Sequence, residues 1–182
     1  LQNISLIETT LEKMEQLIFD VLNYSSVTEE NSEKTKVNTN TLLKELEEIL
    51  YIPSHIDLKL PLNLPIVEGD KMKLQQVFQN LITNAVKFSN KTKGLIEVEV
   101  KDTPQFYQFS VKDNGIGIEK KYHDKIFKIF HTLNKSKNSS GIGLSIVKKI
   151  VNVHGGQVWV ESEPNICTTF YFTLKKYKHG KT

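Results

Sequence analysis

The sequence predicts an α+β fold: a two-layer α/β sandwich with a mixed, mostly antiparallel sheet, helices on one face, and a coiled-coil-like helix in front. Three patterns carry this. Period-two alternation marks strands that fall in hairpin-like pairs. Period-3.6 apolar stripes mark the helices between them. The segment Leu1–Ser26 contains neither Pro nor Gly and carries a heptad-like seam. Strand pairs interleaved with helices favour helices gathered on one face of the sheet.

In the first segment Ile4, Ile7, Leu11, Met14, Ile18 and Val21 recur in steps of three and four. Leu6, Leu17, Phe19 and Leu22 widen this stripe toward the face of a helical bundle. One helix cannot bury it alone, so a partner helix is predicted; packing on the chain's own globular part is the alternative. Residues 27–36 (VTEENSEKTK) are polar and read as a linker. Asn40 or Thr41 is placed to cap a helix reaching Leu50. A strand over Ile56–Leu60 and a short extended piece at Pro65–Val67 follow. Asp70 suits the N-cap of a helix through Phe88, whose core face is Leu74, Val77, Phe78, Leu81, Ile82 and Ala85. Ile96–Lys101 and Tyr107–Asp113 alternate around a turn with Asp102 and Pro104. A helix starting at Gly141–Gly143 stops before Gly155-Gly156. Strands Gln157–Glu161 and Thr168–Lys175 complete the fold. The organisation expected is a helix at 1–26, a linker at 27–36, a globular domain at 37–176 and a tail at 177–182.

Composition bounds the function. A chain of 182 residues holds one core plus an appendage. Its 38% hydrophobic and 25% charged residues are those of a soluble globular protein. No apolar run approaches the roughly 20 residues that span a bilayer, and nothing resembles a signal peptide. The single cysteine, Cys167, excludes an intramolecular disulfide and fits a reducing compartment. The soluble character of this region gives the cytoplasm as its expected location, and leaves open a membrane anchor elsewhere in a full-length protein. A net charge of +3 is too small to argue for nucleic acid as a partner. All 24 basic residues are lysine, so phosphate charge must be met by lysine, metal or backbone N–H groups.

Two glycine-rich loops concentrate the chemistry: DNGIGI at Asp113–Ile118 and SSGIGLSIV at Ser139–Val147. Asp113 continues the inward parity of Tyr107, Phe109 and Val111, so its carboxylate should point into the covered face. A buried carboxylate needs donors, and the exocyclic amine of adenine is one. The other reading is a turn-capping Asp in an Asp-Asn-Gly hairpin. Gly141 and Gly143 stand where a helix starts, and free amides at a helix N-terminus suit a phosphate chain. On the Asp70–Phe88 helix, Gln76, Asn80, Asn84 and Lys87 share a separate face. A carboxamide oxygen there can ligate Mg²⁺, and a lysine one turn on can reach phosphate. The alternative is an ordinary solvated face. Together these features point to bound ATP.

In order, NAVKF, DNGIGI, IFKIF (Ile126–Phe130) and GIGLSIV resemble the N, G1, F and G2 boxes of sensor histidine kinases. Their ATP-binding domain has the Bergerat fold shared with DNA gyrase and mismatch-repair ATPases. The resemblance covers residues 36–176, and LIFDVLNYSSV looks like the end of the second helix of the dimerisation and phosphotransfer hairpin. It implies Asn84 as the Mg²⁺ ligand, Asn80 as a second polar contact and Lys87 at the phosphates. Phe88 takes the place of an aromatic near the base. Asp113 would bind the adenine amine, with Gly115, Gly117 and Ile118 shaping that loop. Ser140, Gly141, Gly143 and Leu144 would line the triphosphate. Phe127 and Phe130 would anchor the start of a lid, in which Lys135 or Lys137 stands where many relatives use Arg. Ser139 occupies a place where many relatives have Gly. It also implies a homodimer through the first helix and a response regulator receiver domain as partner.

Hydrolysing relatives carry Glu one turn before the metal-binding Asn, and here that position is Asn80. A carboxamide is no general base at neutral pH, which favours transfer over hydrolysis. The family's phosphoacceptor His lies on the first helix of the hairpin. His55, His123, His131, His154 and His179 all lie beyond residue 36. The chain is therefore expected to be a fragment that binds Mg·ATP without phosphorylating itself.

Overall fold

The computed structural model describes residues 2–28, 34–133 and 140–177, without the side chains of residues 2–6, 9 and 13. The elements are α1 (Gln2–Ser26), β1 (Thr35–Asn38), α2 (Thr39–Ile49), β2 (Ile56–Lys59), β3 (Ile66–Gly69), α3 (Lys71–Phe88), β4 (Gly94–Asp102), β5 (Phe106–Asp113), α4 (Gly143–Val153), β6 (Val158–Glu163) and β7 (Cys167–Lys175). Five strands form one sheet in the order β2-β4-β5-β7-β6. β2 runs parallel to β4, and the other pairs are antiparallel. β1 and β3 form a separate two-stranded ribbon. Among the described residues no helix is long and apolar enough to cross a membrane.

Strand alternation decides which face the helices cover. Ile96, Val98, Phe109, Val111, Phe170, Phe172 and Leu174 are buried on one side of the sheet. α3 presents Leu74, Val77, Phe78, Leu81, Ile82 and Ala85 to it. At the centre, Phe78 meets Phe109 and Phe172 edge-on, with centroids 5.5 and 5.2 Å away, while Phe109 and Phe172 stack at 5.3 Å. Each such ring contributes roughly 1.5–3 kcal/mol by leaving water, and this cluster holds α3 over the middle of the sheet.

Local chemistry sets the helix ends. Asp70 caps α3 as expected, its carboxylate accepting from the amides of Met72 and Lys73. The α2 cap is Asn38, which accepts from the Asn40 and Thr41 amides, rather than either of those residues. Thr39 is instead buried, its hydroxyl donating to the Pro65 carbonyl at 2.6 Å. Residues 29–33 of the expected linker lie outside the described residues, and its described ends are held by the fold. Val27 is buried in the core and Thr35-Lys36 pair with Glu68-Gly69. Backbone pairing with β3 is a tertiary event that side-chain periodicity does not register.

α1 behaves in two ways along its length. Near its end, Tyr24 packs against the core, and Lys149 Nζ donates to the Tyr24 carbonyl at 2.6 Å while lying 4.3 Å from that ring's centroid. Farther up, Ile7, Leu11, Met14, Ile18, Phe19 and Leu22 are exposed. The alternative of packing on the globular part thus holds for the last turns, while most of the seam remains uncovered.

His154, just past the end of α4, ties that helix to the start of α3. Its Nδ1–H donates to the Ile150 carbonyl at 2.8 Å, and its Nε2 accepts from the Asp70 amide at 3.0 Å. That arrangement requires a neutral ring. Burial lowers its pKa from the ordinary 6.5, against the opposing pull of the Ile150 bond and Asp70, with Lys34 and Lys73 also lowering it. The unfolded chain therefore takes up the proton first as pH falls. Thermal stability is expected to decline as pH drops below about 6.5, and His154→Gln to flatten that decline in pH-resolved melting curves.

Candidate nucleotide-binding site

A cavity of about 750 Å³ opens between α3, the end of β5 and the start of α4. This is the size of a small-molecule site. Its wall includes Asn80, Asn84, Lys87 and Phe88 from α3, Asp113, Gly117 and Ile118 from the first glycine loop, and Ser140, Gly141, Gly143 and Leu144 from the second. Gly115 is not in that wall; a Cβ there would meet the Phe88 carbonyl oxygen at 2.6 Å. Phe130 does not join it. That ring is 58% exposed, on a backbone with φ 62°, while Phe127 is buried edge-on against Phe170 at 6.2 Å. Of the two residues expected to anchor a lid, Phe127 is buried and Phe130 is exposed. Lys135, Lys137 and Ser139 lie outside the described residues.

Asp113 is 7% exposed, as its strand parity predicts. One carboxylate oxygen accepts the Gly115 amide at 2.8 Å. The turn-capping role and the inward-facing role thus coexist, because a carboxylate has two oxygens. Burial raises its pKa from 3.8 to about 6, and the Gly115 hydrogen bond limits the rise. Such a carboxylate favours a ligand that brings an N–H donor. Neighbouring bonds fix the loop. Asn114 Oδ1 accepts from the Leu95 amide, the Ile116 amide donates to the Phe88 carbonyl, and the Ile118 amide donates to Ser162 Oγ.

The opposite end suits an anion. α4 begins at Gly143, and its N-cap position, Ile142, supplies no side-chain hydrogen bond. First-turn amides without a cap, at the positive end of a helix dipole, form an anion-binding site. Gly143 also permits close approach of α3, since a Cβ there would lie 3.1 Å from Asn80 Oδ1. Gly141, at φ +72°, adopts a conformation that favours glycine.

The donor set fits Mg²⁺ of a particular kind. Among the described residues no group of three or more His, Cys, Asp or Glu could hold a metal on its own. Mg²⁺ commonly takes one or two protein oxygens and completes its octahedron with other oxygens and water, and a carboxamide such as Asn84, in the same cavity wall as the uncapped start of α4, fits that demand.

Sequence reasoning missed several wall residues. Thr168 pairs with Asp113 across β5 and β7 and lines the cavity. Its parity with Phe170, Phe172 and Leu174 was readable as inward-facing. Gln16 and Asp20 reach the cavity from α1, which no local pattern signals because the docking of α1 is tertiary.

A loop with a buried carboxylate and an uncapped helix start, joined by a carboxamide-bearing helix, suit a nucleotide-binding ATPase-type fold. The family described as histidine kinase-, DNA gyrase B- and HSP90-like ATPase matches residues 69–178, and the chain belongs to it. Cyanobacterial phytochrome B of Nostoc sp. is 35% identical over 171 residues, covering 90% of this chain and 23% of that protein. The histidine kinase ThkA, solved in complex with the response regulator protein TrrA, superposes with a TM-score of 0.73 at 29% identity, covering 97% of this chain and 51% of that one. Full-length ShkA in complex with AMPPNP gives a TM-score of 0.78 at 23% identity, over 98% of this chain and 39% of that one, a likeness of fold. The chain thus spans about a quarter of the length of that phytochrome.

Proposed function

We propose that this chain is the ATP-binding catalytic part of a two-component sensor histidine kinase, positioning Mg·ATP for γ-phosphoryl transfer to a histidine on another segment. The observation that carries this is the single cavity joining Asp113 at one end to the uncapped start of α4 and Asn84 at the other. Asp113 accepts from the adenine amine. Phe88 packs near the base, and Gly115, Gly117 and Ile118 shape its loop. Ser140, Gly141, Gly143 and Leu144 line the phosphates, Lys87 reaches them, and Asn84 with Asn80 faces the Mg²⁺ that arrives with the nucleotide. Mg²⁺ supplies charge neutralisation on the phosphates when bound. Catalysis is otherwise in-line positioning, since Asn80 cannot activate water.

In this reading residues 1–26 are the second helix of a dimerisation and phosphotransfer hairpin, 27–36 the connector and 37–176 the catalytic domain. The exposed Ile7–Leu22 face supports a homodimer through α1. The receiver domain of a response regulator is the phosphate's next acceptor, the location is cytoplasmic, and nucleic acid is no partner.

Radiolabelled ATP tests the reading. The full-length protein is expected to gain an acid-labile, base-stable phosphate that Asn84→Ala removes, while residues 1–182 alone gain none. Rapid multiple-turnover phosphate release, abolished by Asn80→Ala, would instead make the domain a hydrolase.

A further inference from the structure

The α1 helix contributes a carboxylate to the phosphate end of the cavity. Asp20 Oδ2 accepts the Ser140 hydroxyl at 2.5 Å, and Asp20 Oδ1 accepts Gln16 Nε2 at 2.8 Å. Both Gln16 and Asp20 line the same cavity as Asn84, Gly141 and Gly143. Ser140 Oγ also accepts the Ile142 amide at 3.4 Å. A serine hydroxyl has one proton to donate. While that proton is held by Asp20, Ser140 has none to offer a phosphate oxygen. A carboxylate beside the phosphate-binding amides also repels the chain it would face.

We propose that Asp20 is a specificity-determining residue of this site: from α1 it competes with phosphate for the Ser140 proton and discriminates among nucleotides by phosphate number. The inference rests on the ATP reading above and extends it to a helix outside the matched residues 69–178. Docked α1 weakens the triphosphate most, the diphosphate less, and leaves the nucleoside untouched, because adenosine places no charge near Ser140. Linkage makes the effect reciprocal: bound ATP weakens the Asp20–Ser140 contact by the same factor. The end of α1 has its own attachments, through buried Val27, the Lys149–Tyr24 bond and a Lys73 bond to the Thr28 carbonyl at 3.3 Å. Asp20 can therefore leave Ser140 while the end of the helix remains held.

Titration calorimetry with MgATP, MgADP and adenosine tests this on wild type, Asp20→Ala, Ser140→Ala and the double variant. Asp20→Ala is expected to tighten MgATP about tenfold, MgADP less, and adenosine less than about twofold, as removal of one nearby like charge predicts. The tightening should shrink on the Ser140→Ala background, where no shared proton exists. Adenosine binding in each variant reports that the site is folded. MgATP affinity unchanged or weakened by Asp20→Ala, with adenosine still bound, overturns the inference and spares the nucleotide reading. Wild type that binds neither adenosine nor ATP overturns both.

Discussion

Asp113→Asn is expected to destroy adenine binding while making the empty protein more stable. The carboxylate serves two donors: the Gly115 amide already on one oxygen, and the adenine amine proposed for the other. Asparagine has a single acceptor oxygen, so its NH₂ must face one of those donors. An unsatisfied buried polar pair costs about 1–3 kcal/mol, and losing the charge on the acceptor adds to it, so ATP affinity should fall about a hundredfold. Guanine, which presents a carbonyl where adenine presents the amine, should lose less, and the ATP-to-GTP ratio should drop.

The stability effect has the opposite sign. A carboxyl whose pKa rises from 3.8 to about 6 on folding stabilises the fold below about pH 3.8, and that contribution disappears as pH rises through about 6. At pH 7.5 the empty site therefore destabilises the fold by up to about 3 kcal/mol, at about 1.4 kcal/mol per pKa unit. Asparagine removes this penalty. Urea unfolding at pH 7.5 should show a more stable variant, with the advantage shrinking toward pH 4. A variant that binds ATP normally, or is less stable at neutral pH, would contradict the placement of this carboxylate.

Gly117→Ala is expected to be the most damaging small substitution at the site. Gly117 has φ +67°, and a Cβ there would lie 2.2 Å from the Glu163 carbonyl oxygen and 2.8 Å from the Pro164 Cα. Both obstacles are backbone, so no side chain can yield. The β6–β7 turn is tied to the loop by the Asn165 amide on the Ile116 carbonyl at 2.7 Å. Separating them should cost roughly 2–4 kcal/mol and displace Ile118 from the cavity wall. Denaturant melts should show the loss, and ATP titration at low temperature should show weakened binding in what remains folded. Wild-type behaviour in both would mean that the loop does not approach the turn this closely.

Legibility followed the range of the interaction. Asp70 was readable as a cap because its acceptor meets amides two and three residues on. Asp113 was readable as buried because strand parity is local. The glycine-rich start of α4 was readable because a helix onset has its own chemistry. Asn38 was not, since Thr39 is drawn inward by the Pro65 carbonyl and moves the helix start upstream. The family resemblance implied Phe130 as an anchor, yet its backbone is left-handed and the residue is 58% exposed. Asp20 is the clearest omission. On a helix read for its apolar seam, a polar residue attracts no notice until another element docks beside it.

The small β1–β3 ribbon has an architectural consequence. Thr35 begins β1, β1 pairs with β3, and Val67 of β3 bridges Lys176 just past β7. The way into the globular fold and the way out of it are therefore separated by about two strand spacings, roughly 10 Å. A segment that enters at β1 and one that leaves after β7 are thereby brought to the same edge of the globular fold.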